Sequence, residues 1–150
     1  MALITKVAHT GFIVADIEKQ VSFWTEMMGG ELVKSGDAEG PVIGIGVLGE
    51  NRAAAMKTAV VRAGGHELEF FQFTDPVSAE YHGDMSVSGS AHVAMYVDDL
   101  EEMYRDLTAR GIRFHSEINT DYKEDGSIDF KWVYLRDPNN ICIELMEEGK

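Results

Sequence analysis

Two histidines and two glutamates recur in this chain at matched places. The segment Ala8-His9-Thr10-Gly11-Phe12-Ile13-Val14-Ala15-Asp16-Ile17-Glu18 returns as Ala91-His92-Val93-Ala94-Met95-Tyr96-Val97-Asp98-Asp99-Leu100-Glu101. The shared Ala, His, Val, Asp and Glu all lie 83 positions apart. Each copy closes on a glutamate in a strand-like run, Glu69 at 60 residues after His9 and Glu144 at 52 after His92. Two imidazole nitrogens and two carboxylate oxygens suit one divalent ion, Ni, Zn, Co, Mn or Fe(II), with room for water in an octahedral shell. A lone strand histidine is ordinarily a hydrogen-bonded core residue, and a lone glutamate an edge carboxylate facing water. The matched placement of both types is what favours ligands. A metal also accounts for acids set among Leu68, Phe70, Ile143 and Leu145, where an unpartnered carboxylate is costly.

A segment written twice predicts a pair of modules, since two copies are too few for a solenoid. Module one spans 1–75, a polar linker 76–89, and module two 90–150. Ile4 to Val14 reads as a strand, with His9, Gly11 and Ile13 on one face. Asp16 is the N-cap of a helix whose apolar stripe is Ile17, Val21, Trp24 and Met28, ending at Gly29-Gly30. Glu31 to Ser35 starts a second strand, and Gly36 to Gly40 is expected to be a loop. Thr58–Arg62 and Glu67–Phe73 flank a glycine pair, a hairpin signal. In the latter run Glu67, Glu69, Phe71 and Phe73 share a face. The second module has a helix capped by Asp99, with Leu100, Met103, Tyr104 and Leu107 buried. Strands at 112–118, 128–135 and 141–146 follow, with a charged turn at 119–127 and a tight turn at Asp137-Pro138-Asn139-Asn140. The order is βαβββ, twice, an α+β protein. If each closing strand lies beside its opening strand, each half presents one imidazole and one carboxylate on a common face.

Other motifs carry less. Gly44-Ile45-Gly46-Val47-Leu48-Gly49 spells G-x-G-x-x-G, but no helix follows it as a dinucleotide site requires. It is expected to be a mobile glycine-rich loop near a pocket mouth. Glu67 is the fallback ligand should the register slip. His66 is expected in solvent at a turn, and His82 and His115 are pocket-lining candidates. Phe71 and Phe73 would wall a substrate pocket. Trp24, Met27, Met28 and Met103 read as core, and Cys142 as an inert buried thiol.

Composition narrows the function classes. With 26 acids against 13 bases, the formal charge of −13 repels phosphate backbones and anionic membranes. No run approaches ~18 apolar residues, so no membrane span is expected. The first six residues are too polar for a signal peptide. The single cysteine forms no internal disulfide, in keeping with a cytoplasmic setting.

The chain resembles the glyoxalase/bleomycin-resistance/extradiol-dioxygenase superfamily, the vicinal oxygen chelate proteins, over essentially its whole length. The matching pieces are Ala8-His9-Thr10-Gly11, Asp16-Ile17-Glu18, Phe23-Trp24 and Glu67 to Phe71. In the second half they are His92-Val93-Ala94, Val97 to Leu100, and Leu135-Arg136-Asp137-Pro138-Asn139-Asn140 leading to Ile143-Glu144-Leu145. The resemblance implies paired βαβββ modules in an open, curved eight-stranded mixed sheet around a metal site, with the helices outside. It implies His9, Glu69, His92 and Glu144 as ligands, as in the glyoxalase I and methylmalonyl-CoA epimerase branch. The chemistry would then be a lyase or isomerase step on a small α-oxygenated carbonyl or thioester compound, through a metal-stabilised enolate. Glu69 and Glu144 would move the proton. Tyr134, ten residues before Glu144, resembles the active-site tyrosine of extradiol ring-cleaving dioxygenases, an Fe(II)- or Mn(II)-dependent alternative. No residue matches their second-shell histidine; Asp125 is closest to its place. A metal-free, ligand-sequestering resistance protein is a further alternative. An open sheet leaves edges to cover, which predicts a homodimer.

Overall fold

The computed structural model describes residues 2–149. The chain divides into two compact units, Met1–Tyr81 and His82–Lys150. The first runs β1 (Thr10–Ile13), α1 (Ile17–Ser22), β2 (Glu31–Gly40), α2 (Pro41–Ile43), β3 (Ala54–Ala63) and β4 (His66–Asp75). The second runs β5 (His92–Tyr96), α3 (Leu100–Ala109), β6 (Asn119–Tyr122), β7 (Ile128–Arg136) and β8 (Cys142–Glu148). The expected βαβββ order is present twice. The eight strands are shared out as two mixed sheets of four, ordered β1-β4-β3-β2 and β5-β8-β7-β6. The opening strand lies parallel to the closing strand in each, and the other neighbours are antiparallel. No described helix is long and apolar enough to cross a membrane.

Each sheet packs one face against a helix, α1 in the first unit and α3 in the second. On β4, Leu68 and Phe70 are fully buried, and the Gln72 side chain accepts from the Ile17 N–H at the start of α1. On β8, Ile143 and Leu145 are fully buried and Glu147 meets the start of α3. Burying such side chains contributes ~1.5–3 kcal/mol each, so the alternation sets which face turns inward. Glu69 and Glu144 then fall on the opposite, open face. Both helix starts are capped as their sequence suggests. Asp16 accepts the Lys19 N–H at 3.0 Å, and Asp99 that of Glu102 at 2.8 Å.

Several boundaries differ from the sequence reading. Only Thr10–Ile13 of the expected first strand pairs. Thr10 sits beside Leu68, so the register brings His66, where β4 begins, opposite position 8, and earlier residues overrun it. Gly36 to Gly40 is strand, because β3 starts at Ala54 and offers Gly40 a partner. The glycine-rich stretch is wound into α2 and a π-type turn at Gly44–Leu48 rather than a loop, closed by Gly49 at φ 71°. A Cβ on Gly44 would stand 1.8 Å from the Arg52 carbonyl oxygen, so that close approach requires glycine. Helix α1 widens into a second π-type turn at Phe23–Met27, which buries Phe23 as well as Trp24. The strand expected over 112–118 reduces to one bridge, Phe114 with Leu135. Ser116 and Asn119 bond locally there, competing with a ladder. β6 then occupies the first residues of the expected charged turn.

Candidate metal centre

The parallel pairing of opening and closing strands sets the geometry of the candidate ligands. Gly11 lies in register with Glu69, and Ala94 with Glu144. In both units the histidine is therefore two residues upstream of the glutamate's strand neighbour, on the same face. His9 Nε2 is 3.1 Å from Glu69 Oε2, and His92 Nε2 is 3.2 Å from Glu144 Oε2. The 83-residue repeat is thus reproduced at the level of these side-chain atoms. The imidazoles are 47% and 38% exposed, while the glutamate side chains are only 20% and 13% exposed. Sheltered carboxylates beside open nitrogens leave each pair reachable from solvent.

These pairs fit a metal. Neighbouring ligands on an octahedral ion with bonds of ~2.1 Å stand ~3 Å apart, so both contacts match adjacent coordination positions. The same spacing also suits a hydrogen bond between imidazole and carboxylate.

Tyr134 stands beside Glu144 in the β7–β8 register. Burial first, and then the hydrogen bond its hydroxyl gives to Glu144, push the Tyr134 phenol above its usual ionisation range. Its ring lies edge-on to His92 at 5.2 Å and to Trp132 at 5.7 Å. The His115 ring stacks on its other side at 6.2 Å and 20°. Asp121 accepts from Trp132 Nε1 at 3.0 Å. His115 and Tyr134 were each legible as candidates in the sequence, but their pairing was not, because residue 115 meets residue 134 through an irregular strand with a single bridge rather than a ladder.

The remaining candidates are placed as follows. Glu67 is held by Arg62 at 2.7 Å, which keeps its carboxyl below the usual range. His66 is not free in solvent: it opens β4 and its Nε2 meets Thr10 Oγ1 at 2.9 Å. Phe73 is buried with Ala54 and Met56, and Phe71, Ile43 and Leu48 pack against that cluster. The glycine-rich turn thus covers part of Glu69's own face. His82 is exposed at the start of the second unit. Cys142 is buried, and burial raises its thiol, which leaves it a poor nucleophile. Asp99, Glu101 and Glu147 also cluster. Asp99 and Glu147 accept helix N–H groups and Glu101 pairs with Lys131, so this trio complements the positive start of α3.

Comparison with known proteins follows the same lines. The model of the Glyoxalase/Bleomycin resistance protein/Dioxygenase superfamily matches residues 6–145. A 2-epi-5-epi-valiolone epimerase from an Actinomyces species is 30% identical over 145 residues, covering 93% of this chain and 78% of that protein. Lactoylglutathione lyase of Schizosaccharomyces pombe is 24% identical over 151 residues; the match covers 97% of this chain but only 48% of that protein, about half its length. Among solved structures, a glyoxalase family protein from Bacillus cereus superposes with a TM-score of 0.82 at 22% identity, over 98% of this chain and 96% of the other. A fosfomycin resistance protein from Listeria monocytogenes, solved with Mn(II) and sulfate, gives 0.64 at 15% identity, over 97% and 93%. At such identities these structures speak for the fold alone. With paired βαβββ units and a family match over nearly its full length, the chain belongs to the Glyoxalase/Bleomycin resistance protein/Dioxygenase superfamily.

Proposed function

We propose that this chain is a divalent-metal-dependent lyase or isomerase of the glyoxalase type, acting on a small α-oxygenated carbonyl or thioester compound. His9, Glu69, His92 and Glu144 are its metal ligands. The carrying observation is the repeated register, Gly11 with Glu69 and Ala94 with Glu144, which gives each half the same imidazole–carboxylate pair. Relatives named as an epimerase and a lyase support this class of chemistry.

A divalent ion supplies Lewis-acid stabilisation of the oxyanion that develops when a proton leaves carbon beside a carbonyl. The protein's part is the proton itself. Glu69 or Glu144 accepts it from the substrate carbon on a carboxylate oxygen and returns it to the neighbouring carbon or the opposite face. No electron is exchanged. Tyr134, donating to Glu144, holds that carboxylate in place through the transfer. The exposed length of β2, including Leu32 and Val33, supports a homodimer. The free thiol of Cys142 supports a cytoplasmic setting.

The test is metal analysis of untagged protein, then turnover of small α-hydroxy ketones in D2O by the metal-loaded form. Deuterium entering the carbon beside the carbonyl is expected, and Glu69→Gln and Glu144→Gln each cut turnover by orders of magnitude. Protein that purifies and reconstitutes without metal sinks the reading in favour of a ligand-sequestering protein. The contact of Tyr134 with both His92 and Glu144 favours one other reading, an extradiol dioxygenase. Oxygen uptake with a catechol, and no deuterium exchange, selects it.

A further inference from the structure

We infer that His115 is a substrate-binding residue and that the substrate carries a further hydroxyl or carboxylate beyond the two oxygens that chelate the metal. This rests on the proposed metal site. The backbone N–H of His115 donates to the Tyr134 carbonyl at 2.8 Å, beside the Phe114–Leu135 bridge. Residue 115 is thereby pinned as the strand neighbour of Tyr134, on the side away from Glu144. Its ring lies near-parallel to Tyr134 at 6.2 Å, and Tyr134 in turn touches His92 at 5.2 Å. One continuous strip therefore runs from the His92–Glu144 pair, across the Tyr134 ring, to an imidazole.

His115 itself is exposed. Its contact with the protein is made by backbone and ring face, which leaves ring nitrogens to serve something else. An imidazole offers both a donor and an acceptor, the pair that fixes a hydroxyl or a carboxylate. Tyr134, with Trp132 at its edge, supplies an apolar shelf for the carbon skeleton between. A substrate ending at its chelating oxygens would leave this imidazole unused. A polyoxygenated or carboxylated carbonyl compound spans the strip.

The test uses Co(II)-loaded protein and two chelators that share a hydroxamate, acetohydroxamate and the monohydroxamate of succinate. The visible Co(II) spectrum reports binding of each. The carboxylated chelator is expected to bind roughly tenfold tighter, as a charge-assisted hydrogen bond allows. His115→Ala removes that preference, and His115→Gln restores part of it. Co(II) affinity and acetohydroxamate affinity stay unchanged in both variants. A wild-type protein with no preference, or a His115→Ala variant that keeps it, overturns the inference. Failure of Co(II) to bind is a different result and sinks the metal reading instead. The same two chelators are then added to Zn(II)-loaded protein, which is diamagnetic, while the His115 Cε1–H resonance is followed. A shift with the carboxylated chelator alone supports the role of His115, and no shift overturns it.

Discussion

The backbone N–H of Leu100 donates to the Glu147 carboxylate at 2.9 Å, tying the first turn of α3 to the strand that carries Glu144. Glu147 is buried, so its loss leaves a helix N–H without that acceptor. Glu147→Ala is expected to destabilise by ~1–3 kcal/mol in urea unfolding. Glu144→Gln, three residues earlier on the open face, is expected to change stability by less than ~1 kcal/mol. Equal losses in the two variants would refute the division between structural and ligand acids.

Removing any one of the four proposed ligands has a separate signature. His9→Ala, Glu69→Gln, His92→Ala and Glu144→Gln should each weaken Co(II) binding by at least about tenfold, measured by titration calorimetry. Tyr134→Phe should weaken it less, since the hydroxyl acts only through Glu144. Unaltered binding in either glutamate variant excludes that residue as a ligand.

The glycine-rich turn offers a contrast inside five residues. Gly44→Ala drives a methyl into the Arg52 carbonyl and should cost ~1–3 kcal/mol. Gly46→Ala meets nothing within 4 Å and should be neutral or stabilising by up to ~1 kcal/mol. Thermal unfolding of the two variants decides it.

Acid stability depends in part on the α1 cap. The Lys19 N–H first, and its ammonium second, hold the Asp16 carboxyl below the ordinary aspartate value of 3.8. The unfolded chain therefore binds this proton more readily than the folded one. The stabilisation is present above 3.8 and is lost as pH falls through the lowered folded value. Asp16→Ala should cost about 1 kcal/mol at pH 7. The gap from the unsubstituted protein should close as unfolding is measured at progressively lower pH.

Much of this was legible in residue order alone. The repeat around His9 and His92 announced two modules, and alternation along Leu68-Glu69-Phe70 and Ile143-Glu144-Leu145 fixed which face each glutamate takes. The hairpin at Gly64-Gly65 was readable because both residues adopt positive φ, 55° and 79°, a conformation glycine permits. What stayed hidden depends on partners rather than local pattern. The reach of β2 is set by where β3 begins, and the strand expected over 112–118 gave way to side-chain bonds at Ser116 and Asn119. His115 was a pocket-lining candidate by sequence, but its neighbour Tyr134 was visible only in the folded chain.

The two sheets share their order but not their outer strands: β2 has ten residues and β6 only four. Both sit at the sheet margin opposite the opening strand, three places from β1 or β5. Lengthening, shortening or grafting chain there is expected to leave the His9–Glu69 and His92–Glu144 pairs undisturbed. The half of each module that holds the imidazole–carboxylate pair is thus alike in both units while its far border differs, and that border is where redesign of specificity should begin.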